Sequence, residues 1–529
     1  MIAAAGAALL VWQWAGGRPL WLDEEMIAIN LRDRSLGGLA GALSLGQTAP
    51  YGWLAIERLV VLLFGGGERA LRFVPMACGV ATLAVAVWIG RRWLGVLGAV
   101  SLVLLCSLGR WLTFYFLELK PYSADALFAL WLPALAVLAV EDRRRARLFW
   151  VIAAVGQWFA NGALLAAPAA AAVLAISVWR RDGARAVPGV IAPGALWLAL
   201  FALHYGLVLR HALGSAFLQG TWAFAFPPPG ATPFEIVRWL AQQLTPFAAK
   251  PGGTSLGLAL WLAAALGFAA ALAAPPRRSL AAAFALVPVS AFLLAALRLV
   301  PLYERVSIWV VPALYVGVAL LADVAAGVAR GFSPASVAVR AGGWIAVCAA
   351  LILTLDISIA GAIDAGQRPD DSNRSLDDRA AIRWLSARHR DGDAWITTHF
   401  GLPALWWYGG SMSPPGAFEL TYIPDRRECP ADGPGNLSRA LQPYGRVVVY
   451  LGFRFDDTPP GFDDLLVDRL SELGAVTDYR RFDTRGIGIV VDRGQPSNRP
   501  ATLSQLDARP IDDAVRPEGC ITIRAARSW

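Results

Sequence analysis

Charge is scarce in this chain. Of its 529 residues, 16% are Asp, Glu, Lys or Arg and 57% are hydrophobic, whereas soluble domains carry about 25% charged residues. A shortage of that size excludes an ordinary soluble protein and points to a polytopic membrane protein. Lysine is almost missing: Lys120 and Lys250 are the only two. The arginine and alanine that replace it read as GC-rich codon usage, which makes each lysine worth locating. Histidine occurs four times and never in H-E-x-x-H spacing, so zinc-peptidase chemistry has no support. Five cysteines show no metal-ligand spacing. Internal repeats, which an alternating-access transporter is built from, are missing too.

The charge that exists is unevenly divided. Before residue 365 lie 26 basic and 16 acidic residues, and after it 21 and 23. The last stretch has no long apolar run, so the sequence predicts a membrane domain over 1–364 and one soluble domain over 365–529. The basic excess belongs to membrane loops, and nucleic acid is excluded as a partner on that ground.

A spanning helix needs roughly 20 apolar residues. By that rule the segments 2–16, 70–90, 94–112, 122–140, 148–164, 165–179, 188–208, 255–274, 279–300, 307–329 and 343–363 give about eleven transmembrane helices. Basic loops stay in the cytoplasm. Every second connection is basic, from Arg91-Arg92 through "EDRRRAR", "RRDGAR" and Arg277-Arg278 to Arg330–Arg340. The expected orientation therefore has the N-terminus inside and the C-terminal domain outside. A long first outer loop, 17–69, contains two apolar pieces too short to span, which the sequence predicts to lie in the membrane interface.

The soluble part reads as α/β. "RAAIRWLSARHR" has helical spacing, "AWITTHF" and "RVVVYLGF" read as strands, and "GFDDLLVDRLSELGA" reads as a helix ending at Gly474. Two further strands follow in "VTDYRRFDTRGIGIVVD". No G-x-G-x-x-G follows a strand there, so nothing marks a dinucleotide site. Cys429 and Cys520 are the only cysteines in this part and can pair if it lies outside the cytoplasm.

Three consecutive acids, Asp23, Glu24 and Glu25, follow "PLWL" directly at the mouth of the first apolar segment. A carboxylate there is poorly solvated, and outward-facing cations recur in other loops: Arg69, Arg72, Arg110, Lys120 and Arg305. A carboxylate with converging cations is what transfer from an anionic lipid carrier requires. The acid takes a proton from a hydroxyl nucleophile, and the cations stabilise the departing phosphate. The bland alternatives are a solvated flank for the acids and interfacial anchoring for the cations and tyrosines. Within the spans, Asp125 is expected to pair with Lys120 or Arg110, and Asp323 and Asp356 to be solvated near helix ends.

The ordered set of "WLDEE", "QTAPYGWLAIERL", "FGGGERALRFVPMACGVATLAVAVWIGRRWLG", "ELKPYSADAL" and "YERVSIWVVPAL" resembles the GT-C superfamily of glycosyltransferases. The likeness is greatest to the branch with protein O-mannosyltransferases and the aminoarabinose transferases that modify lipid A. The resemblance spans most of the chain. It implies a GT-C-like bundle with a C-terminal extracytoplasmic domain, in the bacterial inner membrane. It also implies inverting transfer from a polyprenyl-phosphate sugar to a glycan, glycolipid or protein acceptor of the cell envelope. Carried over by position, Asp23 is the general base and Glu24 its partner. Lys120 and Arg305, with Arg72 and Arg110, meet the donor phosphate, and Glu25, Gln47, Tyr122 and Tyr303 contact donor or acceptor. No cofactor is implied by a motif, and a divalent metal has no ligand motif to hold it. Relatives often carry His or Lys before the Pro step, where this chain has Gln47-Thr48-Ala49-Pro50. Met26 stands where some relatives have arginine. Two other classes remain open at this level: a flippase for a lipid-linked substrate, and a membrane scaffold.

Overall fold

The computed structural model describes residues 1–330, 337–367, 376–410, 416–423, 429, 433–453, 461–496 and 520–526. It divides into two compact units, one of Met1–Gly16 and Arg34–Pro369, the other of Gly17–Asp33 and Asp370–Trp529. A short N-terminal piece, Gly17–Asp33, belongs to the C-terminal unit.

The helices that matter here run in chain order as follows. α1 (Ile2–Gly16), α2 (Leu22–Asp33), α3 (Tyr51–Phe64), α4 (Phe73–Trp93), α5 (Val96–Leu108) and α6 (Arg110–Tyr115) come first. They are followed by α7 (Tyr122–Glu141), α8 (Ala146–Gly156), α9 (Asn161–Asp182), α10 (Gly194–His204), α11 (Pro233–Ala249) and α12 (Leu258–Ala273). Last come α13 (Arg278–Ala296), α14 (Val311–Arg330), α15 (Val337–Gln367), α16 (Asp378–Ser386), α17 (Leu402–Tyr408) and α18 (Phe462–Ser471). Helices α2 and α16–α18 belong to the second unit.

Among the described residues, seven helices are long and apolar enough to cross a membrane, and α1, α5 and α12 are shorter apolar helices. The chain is a multi-pass membrane protein. The expected span 148–164 is different: α8 has 11 residues and stops at Gly156, and α9 starts at Asn161 rather than at 165. The reason is local. The Asp125 carboxylate accepts the Gly162 N–H at 2.8 Å, satisfying a donor at the first turn of α9 that would otherwise be orphaned.

The first unit is packed around α14, which is buried along nearly its whole length. A Cβ on Gly267 of α12 would lie 1.9 Å from the Gly317 carbonyl oxygen of α14, so the two backbones meet where neither residue has a side chain. Close approach through small residues is how membrane helices gain packing when lipid is as apolar as leucine. At the end of α14, Asp323 accepts from Arg277 Nε at 2.6 Å and from the Gly95 N–H at 2.8 Å. It is a buried, paired acid and not the solvated one expected. Asp356 accepts from the Thr254 hydroxyl at 2.6 Å.

The second unit contains a six-stranded sheet. Its strands are β1 (Ala394–Thr398), β2 (Ala417–Ile423), β3 (Arg446–Leu451), β4 (Ala475–Phe482), β5 (Gly486–Asp492) and β6 (Cys520–Ala525). They lie in the order β4-β5-β3-β1-β2-β6. β1 is parallel to β2 and β3, and the outer pairings are antiparallel. Ile396, Val447 and Val449 pack with α18 on one face, while Trp395, Val448 and Tyr450 pack with α16 and α17 on the other. Burial on both faces explains the unbroken apolar run of "RVVVYL". Cys429 and Cys520 form a disulfide, tying the start of β6 to the segment after β2.

Candidate active site

The acids sit on α2, where three carboxyls in the first turn suit the positive end of the helix dipole. From Met26 the sequence reads as an interfacial piece, but Met26, Ile27, Ala28, Ile29 and Leu31 are all buried, and the helix is held by the second unit. Arg32 donates to the Trp406 carbonyl at 2.9 Å, and the Leu20 N–H donates to the Tyr408 hydroxyl at 2.8 Å. Arg379 donates to the Gly17 carbonyl at 2.8 Å. Trp21 and Phe453 rings lie 5.9 Å apart.

The three acids have three environments. Asp23 is half-buried. Glu24 is buried, and its carboxylate reaches back to the Trp21 N–H at 3.4 Å while its own N–H donates to the Trp21 carbonyl at 2.7 Å. This is a reciprocal closure of the helix start. Glu25 is also buried, and neither of its carboxyl oxygens has a hydrogen-bond partner among the described residues. Burial, with the neighbouring Asp378, pushes the Glu25 carboxyl well above the usual range. Burial likewise pushes Asp378 up to about 6, against the pull of the hydroxyl that Tyr450 donates to it.

The cations sit on the first unit. Lys120 is buried in the turn between α6 and α7 and donates to Gln47 Oε1 at 2.5 Å. Gln47 is reached through a tight turn in which Leu45 and Gly46 both have positive φ. The structure thus brings Lys120 and Gln47 together, from loops 73 residues apart in sequence. The Tyr122 ring lies edge-on to Tyr115, 5.4 Å away, and Tyr115 stacks on Trp111 at 6.1 Å. Two cations lie against the Trp111 ring: Arg110 at 5.0 Å and Lys250 at 4.6 Å. Arg110 is further engaged with Asp364 at 3.1 Å, and Lys250 with Glu304 at 2.8 Å.

Arg305 lies over the Trp222 ring at 5.7 Å. Tyr303 packs against Phe224 at 4.9 Å. Arg72 is buried at the start of α4. Asp125 caps α9, so its expected pairing with Lys120 or Arg110 gives way to two backbone N–H groups, those of Gly162 and Asn161. Among the described residues no cluster of three or more His, Cys, Asp or Glu side chains is arranged to hold a metal.

Sequence reasoning missed two participants. Asp378 looked like one acid in an acidic lead-in to a helix, and only its burial distinguishes it. Lys250 was singled out for rarity, but its bond to Glu304, immediately before Arg305, has no signal in the sequence. Glu57 on α3 is an isolated acid. It is wholly buried, neither of its oxygens has a hydrogen-bond partner among the described residues, and burial pushes its carboxyl well above the usual range.

No protein-family model matches the chain, and no curated protein matches it in sequence. Solved structures do. ArnT from Cupriavidus metallidurans, crystallised with undecaprenyl phosphate, superposes with a TM-score of 0.54 at 12% identity, covering 92% of this chain and 97% of that one. The mycobacterial arabinofuranosyltransferase AftD matches with a TM-score of 0.46 at 16% identity, covering 93% of this chain and 39% of that one. The archaeal oligosaccharyltransferase AglB from Archaeoglobus fulgidus matches with a TM-score of 0.44 at 11% identity, over 85% and 69%. The likeness to ArnT, over nearly the whole of both chains, shows the fold. This chain shares its architecture with that structure.

Proposed function

We propose that the chain is an inverting glycosyltransferase of the bacterial inner membrane that moves a sugar from a polyprenyl-phosphate donor to a hydroxyl of a cell-envelope acceptor. The observation that carries this reading is the fold shared from end to end with ArnT, a protein crystallised with undecaprenyl phosphate.

In this reading the acceptor oxygen attacks the anomeric carbon while Asp23, as carboxylate, takes its proton. The bond from the anomeric carbon to the phosphate oxygen breaks, and the polyprenyl phosphate leaves with the electron pair. Lys120 meets the leaving phosphate as a point charge and Arg305 as a planar fork. Gln47 holds Lys120 in place, and Glu24 fixes the first turn of α2 on which Asp23 stands. Arg110, engaged by Asp364 and Trp111, is assigned to the field around the donor and not to a direct phosphate contact. Arg72 keeps its assignment to the phosphate, and Tyr122 and Tyr303 remain assigned to contacts with the donor or acceptor.

The extracytoplasmic location rests on two supports: the alternation of basic loops, and the Cys429–Cys520 disulfide, which persists in oxidising compartments. The acceptor class, a glycan, glycolipid or protein, rests on that location.

The test is transfer, or slow hydrolysis, from a panel of radiolabelled polyprenyl-phosphate sugars by the purified protein beside Asp23→Asn. Turnover by the wild type alone supports the enzyme, the donor and the base together. Transport of lipid-linked sugar without release of polyprenyl phosphate would replace this reading by that of a flippase.

A further inference from the structure

The sheet of the α/β domain has one place where its strand order reverses. From β1 the chain passes to β2 on one side, and from β2 it returns to β3 on the other side of β1. The helices part there as well. α17, which follows β1, packs with α16 on the Trp395 face. Leu437 and Leu441, ahead of β3, and α18, beyond it, pack on the Ile396 face. Chain leaving β1 and β3 therefore turns to opposite faces, and a crevice is left between their carboxyl ends. In open α/β sheets that is where ligands bind.

β1 ends at Thr398 and runs into His399 and Phe400; β3 ends at Leu451 and runs into Gly452 and Phe453. Thr397 donates its hydroxyl proton to the Tyr450 carbonyl at 2.8 Å. Thr398 is different: it is 8% exposed, and its hydroxyl has no hydrogen-bond partner among the described residues. A buried hydroxyl left in that state destabilises the fold, which calls for a partner from outside it. His399 is held in place. Its Nδ1 lies 2.8 Å from Glu419 Oε1, and Arg524 donates to the same oxygen at 2.8 Å. Glu419, on β2, is 2% exposed. A buried carboxylate is thus used to fix the orientation of one imidazole at the strand end.

A row of rings joins this corner to α2. His399 and Phe400 are 5.0 Å apart, Phe400 and Phe453 6.5 Å, and Phe453 and Trp21 5.9 Å. Trp21 immediately precedes α2, and Asp23 is two residues on. All of these belong to one compact unit. The crevice therefore lies beside the helical turn whose acid is assigned to take the acceptor's proton.

We propose that the crevice between the carboxyl ends of β1 and β3 is the acceptor subsite, and that it takes a sugar ring of a glycan or glycolipid. Thr398 and His399 hydrogen-bond the ring's hydroxyls, and Phe400 and Phe453 cover its apolar C–H face. Aromatic walls with a few fixed polar groups are the make-up of a small-molecule site. An extended peptide would pair with a sheet edge instead, and this crevice lies at strand ends. The subsite follows from the α/β domain alone; its role as the acceptor's rests on the function proposed above.

The probes are methyl glycosides of glucose, mannose, galactose and arabinofuranose, offered to the full-length purified protein, with a blocked Ser-Thr peptide beside them. Saturation-transfer NMR reads binding, and transfer from a polyprenyl-phosphate sugar reads use as acceptor. The wild type binds at least one glycoside, with saturation on its ring C–H protons. Thr398→Val keeps the shape and removes the hydroxyl. It weakens that binding about three- to tenfold, the worth of one neutral hydrogen bond. KM for the glycoside rises by the same factor while KM for the donor is unmoved. The Tm of Thr398→Val does not fall, because the hydroxyl has no described partner to lose; a lowered Tm would assign it to the fold and overturn the subsite. His399→Gln, which keeps a donor for Glu419, weakens glycoside binding as well. Failure of the wild type to bind any glycoside, or binding that both variants leave intact, overturns the subsite. Binding of the peptide alone, lost in Thr398→Val, replaces the glycan by a protein acceptor. Glycoside binding that follows Thr398, with no transfer in any sample, overturns the function reading and leaves the subsite.

Discussion

Lys120 donates to the side-chain carbonyl of Gln47 at 2.5 Å, which ties the turn before α7 to the loop before α3. A buried ammonium needs such a partner, because leaving a charged group unsatisfied costs more than the bond itself contributes. The bond also aims the charge: it restricts a flexible four-carbon stem to one direction.

Removing the ammonium is expected to act on donor binding. Lys120→Ala should weaken binding of polyprenyl phosphate by about 1.5–3 kcal/mol, the range for a hydrogen bond to a charged group. Lys120→Arg should recover only part of the loss, since a planar fork does not replace a point charge. Titration of undecaprenyl phosphate against both purified variants measures this. A pure kcat effect with unchanged affinity would contradict the phosphate role.

Asp23→Asn should lower kcat by about 10²–10⁴, the usual contribution of a positioned base, with donor affinity kept. The pH–rate profile of the wild type should have an acid limb in which activity is lost as the base protonates. Near-normal turnover in the variant would remove the assignment.

Reducing the Cys429–Cys520 disulfide should destabilise the α/β domain by about 2–4 kcal/mol, because the bridge closes a long loop in the unfolded chain. Cys520→Ser should lower the Tm of the purified protein and abolish its response to dithiothreitol. A Tm that stays put in the variant would show that β6 is held by its pairing with β2 alone.

In the membrane unit, Gly267→Val should cost at least about 1–3 kcal/mol, the usual penalty of overpacking, because its side chain would meet the backbone of α14. Gly206→Val, where a Cβ meets nothing within 4 Å, is the control. Detergent thermal-shift curves on the two variants distinguish packing from a general effect of lost glycine.

Much of the fold is legible in the sequence because membrane helices and buried parallel strands announce themselves by composition. "RVVVYL" becomes β3 and "GFDDLLVDRLSELGA" contains α18, as their patterns predict. Strands β2 and β6 are not legible for a physical reason. Glu419 is buried in mid-strand, where its charge is met by Arg524 at 2.8 Å and His399 at 2.8 Å, so "AFELTYI" does not look like a core strand. For the candidate site, the sequence names residues but not their partners. Asp23, Lys120 and Gln47 lie in stretches whose order in the chain pointed to them. Asp378 and Lys250 act through partners far away in sequence, and a single sequence carries no trace of that pairing. The interfacial reading of 26–45 failed for α2 because amphipathicity shows that a helix has an apolar side, not which surface covers it.

The seating of α2 in the C-terminal unit has a consequence for biosynthesis. The ribosome makes Gly17–Asp33 hundreds of residues before Trp406 and Tyr408 emerge. Until then the backbone carbonyl that receives Arg32 and the hydroxyl that receives the Leu20 N–H do not exist. Premature termination anywhere before Asp370 would leave an inserted bundle whose acid-bearing helix lacks its support, so translation of the last third of the message acts as a checkpoint on the first.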